Sequence, residues 1–110
     1  MNSRDRASLL DIIKAAELSQ SFIQDMDQFS FTQDAKTQSA VLYQIAILGE
    51  AVKRLSPELR NSHPDIPWSA MAGMRDKLVH DYEGVDIERV WLTLELRIPE
   101  LLQKIKTLLQ

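Results

Sequence analysis

The chain contains no cysteine, which excludes a disulfide scaffold and any zinc or iron–sulfur centre built on thiolates. Glycine and proline are scarce, with three and four residues. No apolar run is long enough for a membrane span, and Asp11 and Lys14 interrupt the N-terminal segment where a signal peptide would need a continuous apolar stretch. We therefore expect a cytoplasmic protein without covalent cross-links.

The 110 residues are enough for one core, so we predict a single domain over residues 1–110. Thirteen basic and sixteen acidic side chains leave a mildly acidic chain, which argues against a general nucleic-acid coat but not against a site that grips a few phosphates. Leu, Ile, Ala, Gln, Glu and Lys are abundant, and this composition favours an all-α protein.

Apolar residues recur at intervals of three and four in four segments, which is the spacing of amphipathic helices. The predicted helices cover residues of about 6–28, 33–56, 67–82 and 87–110. Short connections between them predict an up-down four-helix bundle, with nearly all apolar residues, including both tryptophans, in its core.

Polar residues mark the ends of these helices. Thr32 is the predicted N-cap of the second helix and Asp86 that of the fourth, while Ser56 followed by a proline predicts a short extra turn over residues 57–61. Gly84 is the predicted end of the third helix.

Two features predict close or irregular packing. Ala46, Gly49 and Ala51 on the second helix are small and permit a neighbouring helix to approach. Pro99 lies inside the fourth helix and predicts a kink there, because it lacks the amide that would bond back to Glu95.

The segment "MRDKLVHDY" (74–82) carries the side chains most suited to chemistry. Asp76 and His80 are four residues apart and share one helix face, so the carboxylate is expected to orient the imidazole through a hydrogen bond. Arg75 and Tyr82 share another face, about 140° from His80 on an ideal helix. Either the helix unwinds near Gly84, or a second subunit packed across a two-fold axis completes the site.

Ordinary structural roles are open alternatives for these residues. An arginine and a histidine near a helix C-terminus are commonly a solvated pair favoured by the helix dipole. Tyr82 has the spacing to pack on Leu78 as a core aromatic residue.

The pattern of Arg75, four residues, His80, one residue and Tyr82 resembles the R-x4-H-x-Y motif of the HepT-like branch of the HEPN superfamily. The likeness extends over essentially the whole chain. It includes "ILGEAVKRLSPELR" (47–60), "DIPWSAMAGMRDKLVHDYEGVD" (65–86) and "VWLTLELRIPEL" (90–101), in the family's order. The family most often has asparagine after the arginine, where this chain has Asp76.

The resemblance implies a dimeric four-helix HEPN bundle that acts as a metal-independent endoribonuclease without a cofactor, with tRNA as one candidate substrate. Such a protein is the toxin of a type VII-like toxin–antitoxin pair. Its antitoxin is a minimal nucleotidyltransferase of the MntA type. Arg75 and His80 would be catalytic, and Tyr82 would be the residue that the partner inactivates by AMPylation.

Other residues give weaker signals. Lys53, Arg54 and Lys77 are candidate contacts to the RNA backbone, although solvated charge is the default interpretation of each. Glu50 is expected to contact a basic residue, and His63 has no obvious partner. A non-catalytic helical adaptor that binds a nucleotidyltransferase is the alternative function, because a helical bundle is compatible with both.

Overall fold

The computed structural model describes every residue from Met1 to Gln110, and its regular structure is entirely helical. A 3-10 turn lies at Tyr82–Gly84 and a π-helical segment at Thr93–Arg97. The α-helices are α1 (Ser3–Phe22), α2 (Gln28–Thr32), α3 (Ala35–Lys53), α4 (Pro57–Ser62), α5 (Trp68–His80), α6 (Ile87–Leu92) and α7 (Ile98–Leu108). None of them has both the length and the apolar character needed to cross a membrane.

The all-α bundle predicted from the sequence is confirmed. Helix α1 packs against α3 and α7, α3 also packs against α5, and α2 contacts α3 and α6. A single cluster of 24 buried apolar residues forms the core and includes both tryptophans. Within it the rings of Phe31 and Trp91 lie 5.5 Å apart, which joins α2 to α6.

Helix α3 begins later than the sequence suggested, and Thr32 as its N-cap is wrong. The cap is Asp34, whose carboxylate accepts a hydrogen bond from the Thr37 amide at 3.1 Å. Thr32 instead ends the unpredicted helix α2, and its hydroxyl donates to the Phe29 carbonyl at 2.9 Å. Asp34 also receives the Thr37 hydroxyl at 2.8 Å, a second bond that favours this position over its neighbour.

Helix α1 ends at Phe22, several residues before the predicted boundary near 28. The chain reverses through Asp25, which has a φ of 65°. Asp27 then caps α2 through a 2.8 Å bond from the Ser30 amide. Apolar spacing continues through this turn, so periodicity alone could not reveal where the helix ends.

Of the other predicted helix ends, Gly84 is wrong, because α5 ends at His80, and the two N-caps are confirmed. Ser56 caps α4 by accepting a hydrogen bond from the Leu59 amide at 3.2 Å, with a proline in the first turn. Asp86 caps α6 by accepting the amides of Glu88 and Arg89 at 3.0 and 3.3 Å.

The fourth long segment is irregular where Pro99 predicted a disturbance. Thr93–Arg97 is π-helical, and the Ile98 amide bonds back five residues to the Thr93 carbonyl. The wider turn accommodates the missing amide of Pro99 in the first turn of α7.

Candidate active site

The contact between α3 and α5 supports the candidate site. A β-carbon at Gly49 would overlap the β-carbon of Arg75 and lie 2.8 Å from the Met71 carbonyl oxygen. The absence of a side chain at Gly49 therefore sets how closely α5 approaches α3. This confirms the predicted close approach, and it places Arg75 directly against α3.

Arg75 is held by two carboxylates. Its Nε lies 3.0 Å from Oε2 of Glu50 on α3, and its Nη1 lies 3.1 Å from Oδ1 of Asp76. Only 26% of the Arg75 side chain is exposed. The expectation that Glu50 contacts a basic residue is confirmed, and that residue is Arg75.

Asp76 does not orient His80 in this structure. Its Oδ1 accepts hydrogen bonds from Lys53 Nζ at 2.8 Å and from Arg75 Nη1 at 3.1 Å. The bond from Lys53, followed by that from Arg75, lowers the pKa of the Asp76 carboxyl below its ordinary value. The predicted hydrogen bond to His80 is thus wrong, because two cations provide stronger, charge-assisted donors.

His80 is the last residue of α5, and its exposed imidazole forms no hydrogen bond within the chain. Helix α5 is regular from Arg75 to His80, so the two side chains project about 140° apart. The helix ends at His80 rather than near Tyr82, but this does not turn the imidazole toward Arg75. Unwinding of the helix near Gly84, one of the two ways in which Arg75 and His80 could be brought together, therefore does not bring them together within one chain.

Asp81 ends α5 and shapes the segment that follows. Its carboxylate receives the Gly84 amide at 3.1 Å and Lys77 Nζ at 3.0 Å. The bond from Lys77 lowers the pKa of the Asp81 carboxyl. Sequence reasoning missed this role, although a carboxylate three residues before a glycine is a local turn signal that could have revealed it.

Tyr82 lies outside α5 at the start of the 3-10 turn, and 54% of its surface is exposed. It does not pack on Leu78 as a core residue, because the helical register ends before it. The phenol is accessible next to His80 in the sequence, and its role as the modified residue stays a prediction.

The three weaker candidates for RNA contact each have a carboxylate partner. Lys53 pairs with Asp76, and Lys77 pairs with Asp81. Arg54 Nη2 lies 3.2 Å from Asp11 Oδ2. All three are exposed, and a phosphate would have to compete with these ion pairs.

His63 contributes its backbone rather than its imidazole. Its carbonyl accepts Trp68 Nε1 at 3.0 Å, which closes the loop before α5. No three of the His, Asp and Glu side chains are grouped so that they could hold a metal ion.

An all-helical bundle that displays an arginine, a histidine and a tyrosine around the end of one helix, in the spacing R-x4-H-x-Y, defines a protein of the HEPN class. The profile of the family described as "Ribonuclease HepT-like" matches residues 12–108. The chain belongs to this family.

Several relatives carry ribonuclease names. A protein of Thermococcus cleftensis named "Probable ribonuclease HepT" is 43% identical over 100 residues, which cover 91% of each chain. A "Putative RNase" of Methanocaldococcus jannaschii is 37% identical and covers 100% of this chain and 96% of its own. Another from Caldanaerobacter subterraneus is 44% identical over 73% of this chain and 71% of its own. No solved structure matches the chain.

Proposed function

We propose that this protein is a metal-independent endoribonuclease, the toxin of a type VII-like toxin–antitoxin pair, with tRNA as one candidate substrate. The main support for the proposal is the environment of two motif side chains, Arg75 and His80. Arg75 is held in place with donors to spare, and His80 on the same helix is exposed without a partner. The ribonuclease names of relatives that cover most of the chain support the same conclusion.

Cleavage of RNA without a metal requires a base, an acid and a group that stabilises negative charge. The imidazole of His80 takes the proton of the ribose 2′-hydroxyl, and O2′ attacks the adjacent phosphorus. The bond from phosphorus to O5′ breaks, O5′ receives a proton from a second imidazole, and a 2′,3′-cyclic phosphate is left. The guanidinium of Arg75 stabilises the charge that develops on the phosphorane oxygens.

The second imidazole is that of a second copy of the chain. Within one copy Arg75 and His80 point about 140° apart, so a single copy does not bring both to one phosphate. Packing of α5 against its symmetry mate across a two-fold axis would place both histidines and both arginines in one cleft. The active form we propose is therefore a homodimer.

The antitoxin we propose is a nucleotidyltransferase of the MntA type. The Tyr82 phenol gives up its proton to water, its oxygen attacks the α-phosphorus of ATP, the bond to the pyrophosphate leaving group breaks, and AMP stays on the tyrosine. The exposure of Tyr82 makes this attack sterically feasible. The attached nucleotide adds bulk and negative charge near the cleft, where both oppose the entry of RNA.

The experiment that tests the enzyme is cleavage of a total tRNA pool in EDTA. Wild type is compared with His80→Ala and with the matched control His63→Ala, since these are the two histidines of the chain. We expect His80→Ala to lose at least about a hundredfold in rate, as general acid–base groups contribute that much or more, and His63→Ala to stay near wild type. Equal cleavage by wild type and His80→Ala would contradict the assignment. If wild type does not cut but binds the nucleotidyltransferase, the adaptor function replaces the enzyme.

A second arm of the same assay tests the regulation. Active protein is first incubated with the nucleotidyltransferase and ATP, and cleavage and intact mass are then measured. The chain has two tyrosines, and both Tyr43 and Tyr82 are exposed. We expect Tyr43→Phe to be modified and silenced like wild type, and Tyr82→Phe to stay unmodified. Modification of Tyr82→Phe would exclude Tyr82 as the acceptor.

A further inference from the structure

We infer that Glu50 on α3 is a positioning residue for Arg75. The inference rests on the proposed ribonuclease function and assigns to that site a residue outside the R-x4-H-x-Y motif. The Glu50 carboxylate holds the guanidinium of Arg75 before RNA binds through an ion pair, in which Oε2 lies 3.0 Å from Nε.

The pairing leaves the guanidinium able to bind a phosphate. A guanidinium has five N–H donors in a planar fork. Glu50 engages Nε and Asp76 engages one donor of Nη1. Both donors of Nη2 and the second donor of Nη1 have no partner in the chain. These free donors can bind phosphate oxygens.

The backbone of Glu50 is held in place by packing. Its chain neighbours Gly49 and Ala51 are both buried, and the close approach at Gly49 keeps the backbones of α3 and α5 in contact next to the ion pair. Because the backbone of Glu50 is fixed, its carboxylate restricts the rotamers of Arg75. Ordering a long arginine side chain before binding removes an entropic cost from the reaction step.

The charges around Arg75 balance, so Glu50 does not abolish its attraction for phosphate. Lys53, one turn after Glu50 on α3, pairs with Asp76 at 2.8 Å. Two carboxylates and two cations thus alternate across the contact between α3 and α5. The Glu50 side chain is 46% exposed, so water screens the effect of its charge on an approaching phosphate.

The test compares Glu50→Ala and Glu50→Gln in the RNA cleavage assay. Glu95→Ala serves as the matched control, since Glu95 is exposed and forms no ion pair. We expect Glu50→Ala to lower kcat by about 10- to 100-fold with KM changed by less than about threefold, as misplacement of a catalytic group predicts. Glu50→Gln keeps the size of the side chain but removes its charge, and we expect it to lower kcat as far as Glu50→Ala does, because the ion pair with Arg75 is lost.

Two results would overturn the inference. If Glu50→Ala cleaves as fast as wild type, or faster, the carboxylate does not position Arg75 or restrains it against binding. If Glu50→Gln cleaves RNA as fast as wild type, the ion pair does not position Arg75.

A nuclear magnetic resonance measurement separates this inference from the proposed function. The Arg75 Nε–H signal, assigned by its absence in Arg75→Lys, is followed in ¹⁵N spectra of wild type and Glu50→Ala. We expect solvent exchange of this proton to be at least about tenfold faster in Glu50→Ala, since loss of the ion pair frees the guanidinium to turn toward solvent. Unchanged exchange would overturn the inference even if RNA is cleaved. If the wild-type protein does not cleave RNA, the proposed function is wrong. The exchange rate of the Arg75 Nε–H proton would still decide whether Glu50 holds Arg75 in place.

Discussion

Asp5 is the one charged side chain buried in the core, with 3% of its surface exposed. Its carboxylate accepts the Ser56 amide at 2.9 Å and the Ser56 hydroxyl at 2.6 Å. These bonds tie the first turn of α1 to the N-cap of α4. The hydroxyl bond is the main cause that lowers the pKa of Asp5 below its ordinary value, against the opposing effect of burial.

The lowered pKa of Asp5 makes part of the folding stability depend on pH. A carboxylate with a lower pKa in the folded state stabilises the fold above its unfolded pKa, and the contribution disappears as pH falls through the folded value. We expect the free energy of unfolding of Asp5→Asn at neutral pH to be about 1–3 kcal/mol lower than that of wild type, because the charge-assisted hydrogen bonds to Ser56 are lost. The difference should shrink as pH falls below about 4.

Urea unfolding of wild type and Asp5→Asn between neutral pH and about pH 3 measures this effect. Asp11→Asn is the control, since Asp11 carries an exposed carboxylate in a surface ion pair. A difference between wild type and Asp5→Asn that stays constant with pH would contradict the linkage.

At the scale of residues, local partners are predictable and distant ones are not. Ser56 was recognised as a cap because cap and proline are adjacent in the sequence. Its bond to Asp5 joins positions 51 residues apart, and no local pattern encodes that pairing. Likewise the spacing of Asp76 and His80 suggested a bond, but Lys53, 23 residues away, occupies the carboxylate.

Two glycines in helices test how the contact between α3 and α5 is built. A β-carbon at Gly49 would overlap Arg75, whereas one at Gly73, inside α5, would meet nothing within 4 Å. We expect Gly49→Ala to destabilise the fold by about 1–3 kcal/mol through overpacking. Gly73→Ala should stabilise it by about 0.5–1 kcal/mol, because alanine has the better helix propensity.

Thermal and urea unfolding of Gly49→Ala and Gly73→Ala measure the two changes in stability. The RNA cleavage rate shows whether Arg75 stays in place. We expect Gly49→Ala to lose cleavage along with stability, since the added methyl group displaces the residue that binds phosphate. If both substitutions proved stabilising, the close contact at Gly49 would not constrain the two helices.

At the scale of elements, the existence of the long helices follows from apolar spacing, while their ends follow from individual side chains. The spacing covers α1, α3, α5 and the segment from α6 to α7. It could not locate the end of α5, because Asp81 turns its carboxylate onto the backbone and stops the helix at His80. Pro99 is the exception, since its chemistry predicted both the presence and the place of the irregular turn.

At the scale of the whole molecule, the proposed cleft requires two copies that act together. A heterodimer of one wild-type chain and one His80→Ala chain, purified through two different affinity tags, tests this arrangement. We expect its RNA cleavage rate to fall at least about tenfold below that of the wild-type dimer, because one copy supplies the base and the other the acid.

Half of the wild-type rate in the heterodimer would mean that each copy works alone, and would contradict a shared cleft. A protein that sediments as a monomer while cleaving RNA would also contradict a shared cleft.

The helical bundle could be predicted from one chain, whereas the surface that contacts a second copy could not. Apolar periodicity shows which helix faces are buried in the core, but it does not show what contacts the remaining faces.

The first and last helices of the chain are neighbours, and Lys106 Nζ on α7 lies 3.1 Å from Glu17 on α1. Contacts between positions 89 residues apart close a loop of nearly the whole chain, whereas α3 and α5 are separated only by α4 and its flanking turns. During synthesis, α3 and α5 are translated before α7. The chain therefore acquires the helices of its site before it acquires the helix that closes its core.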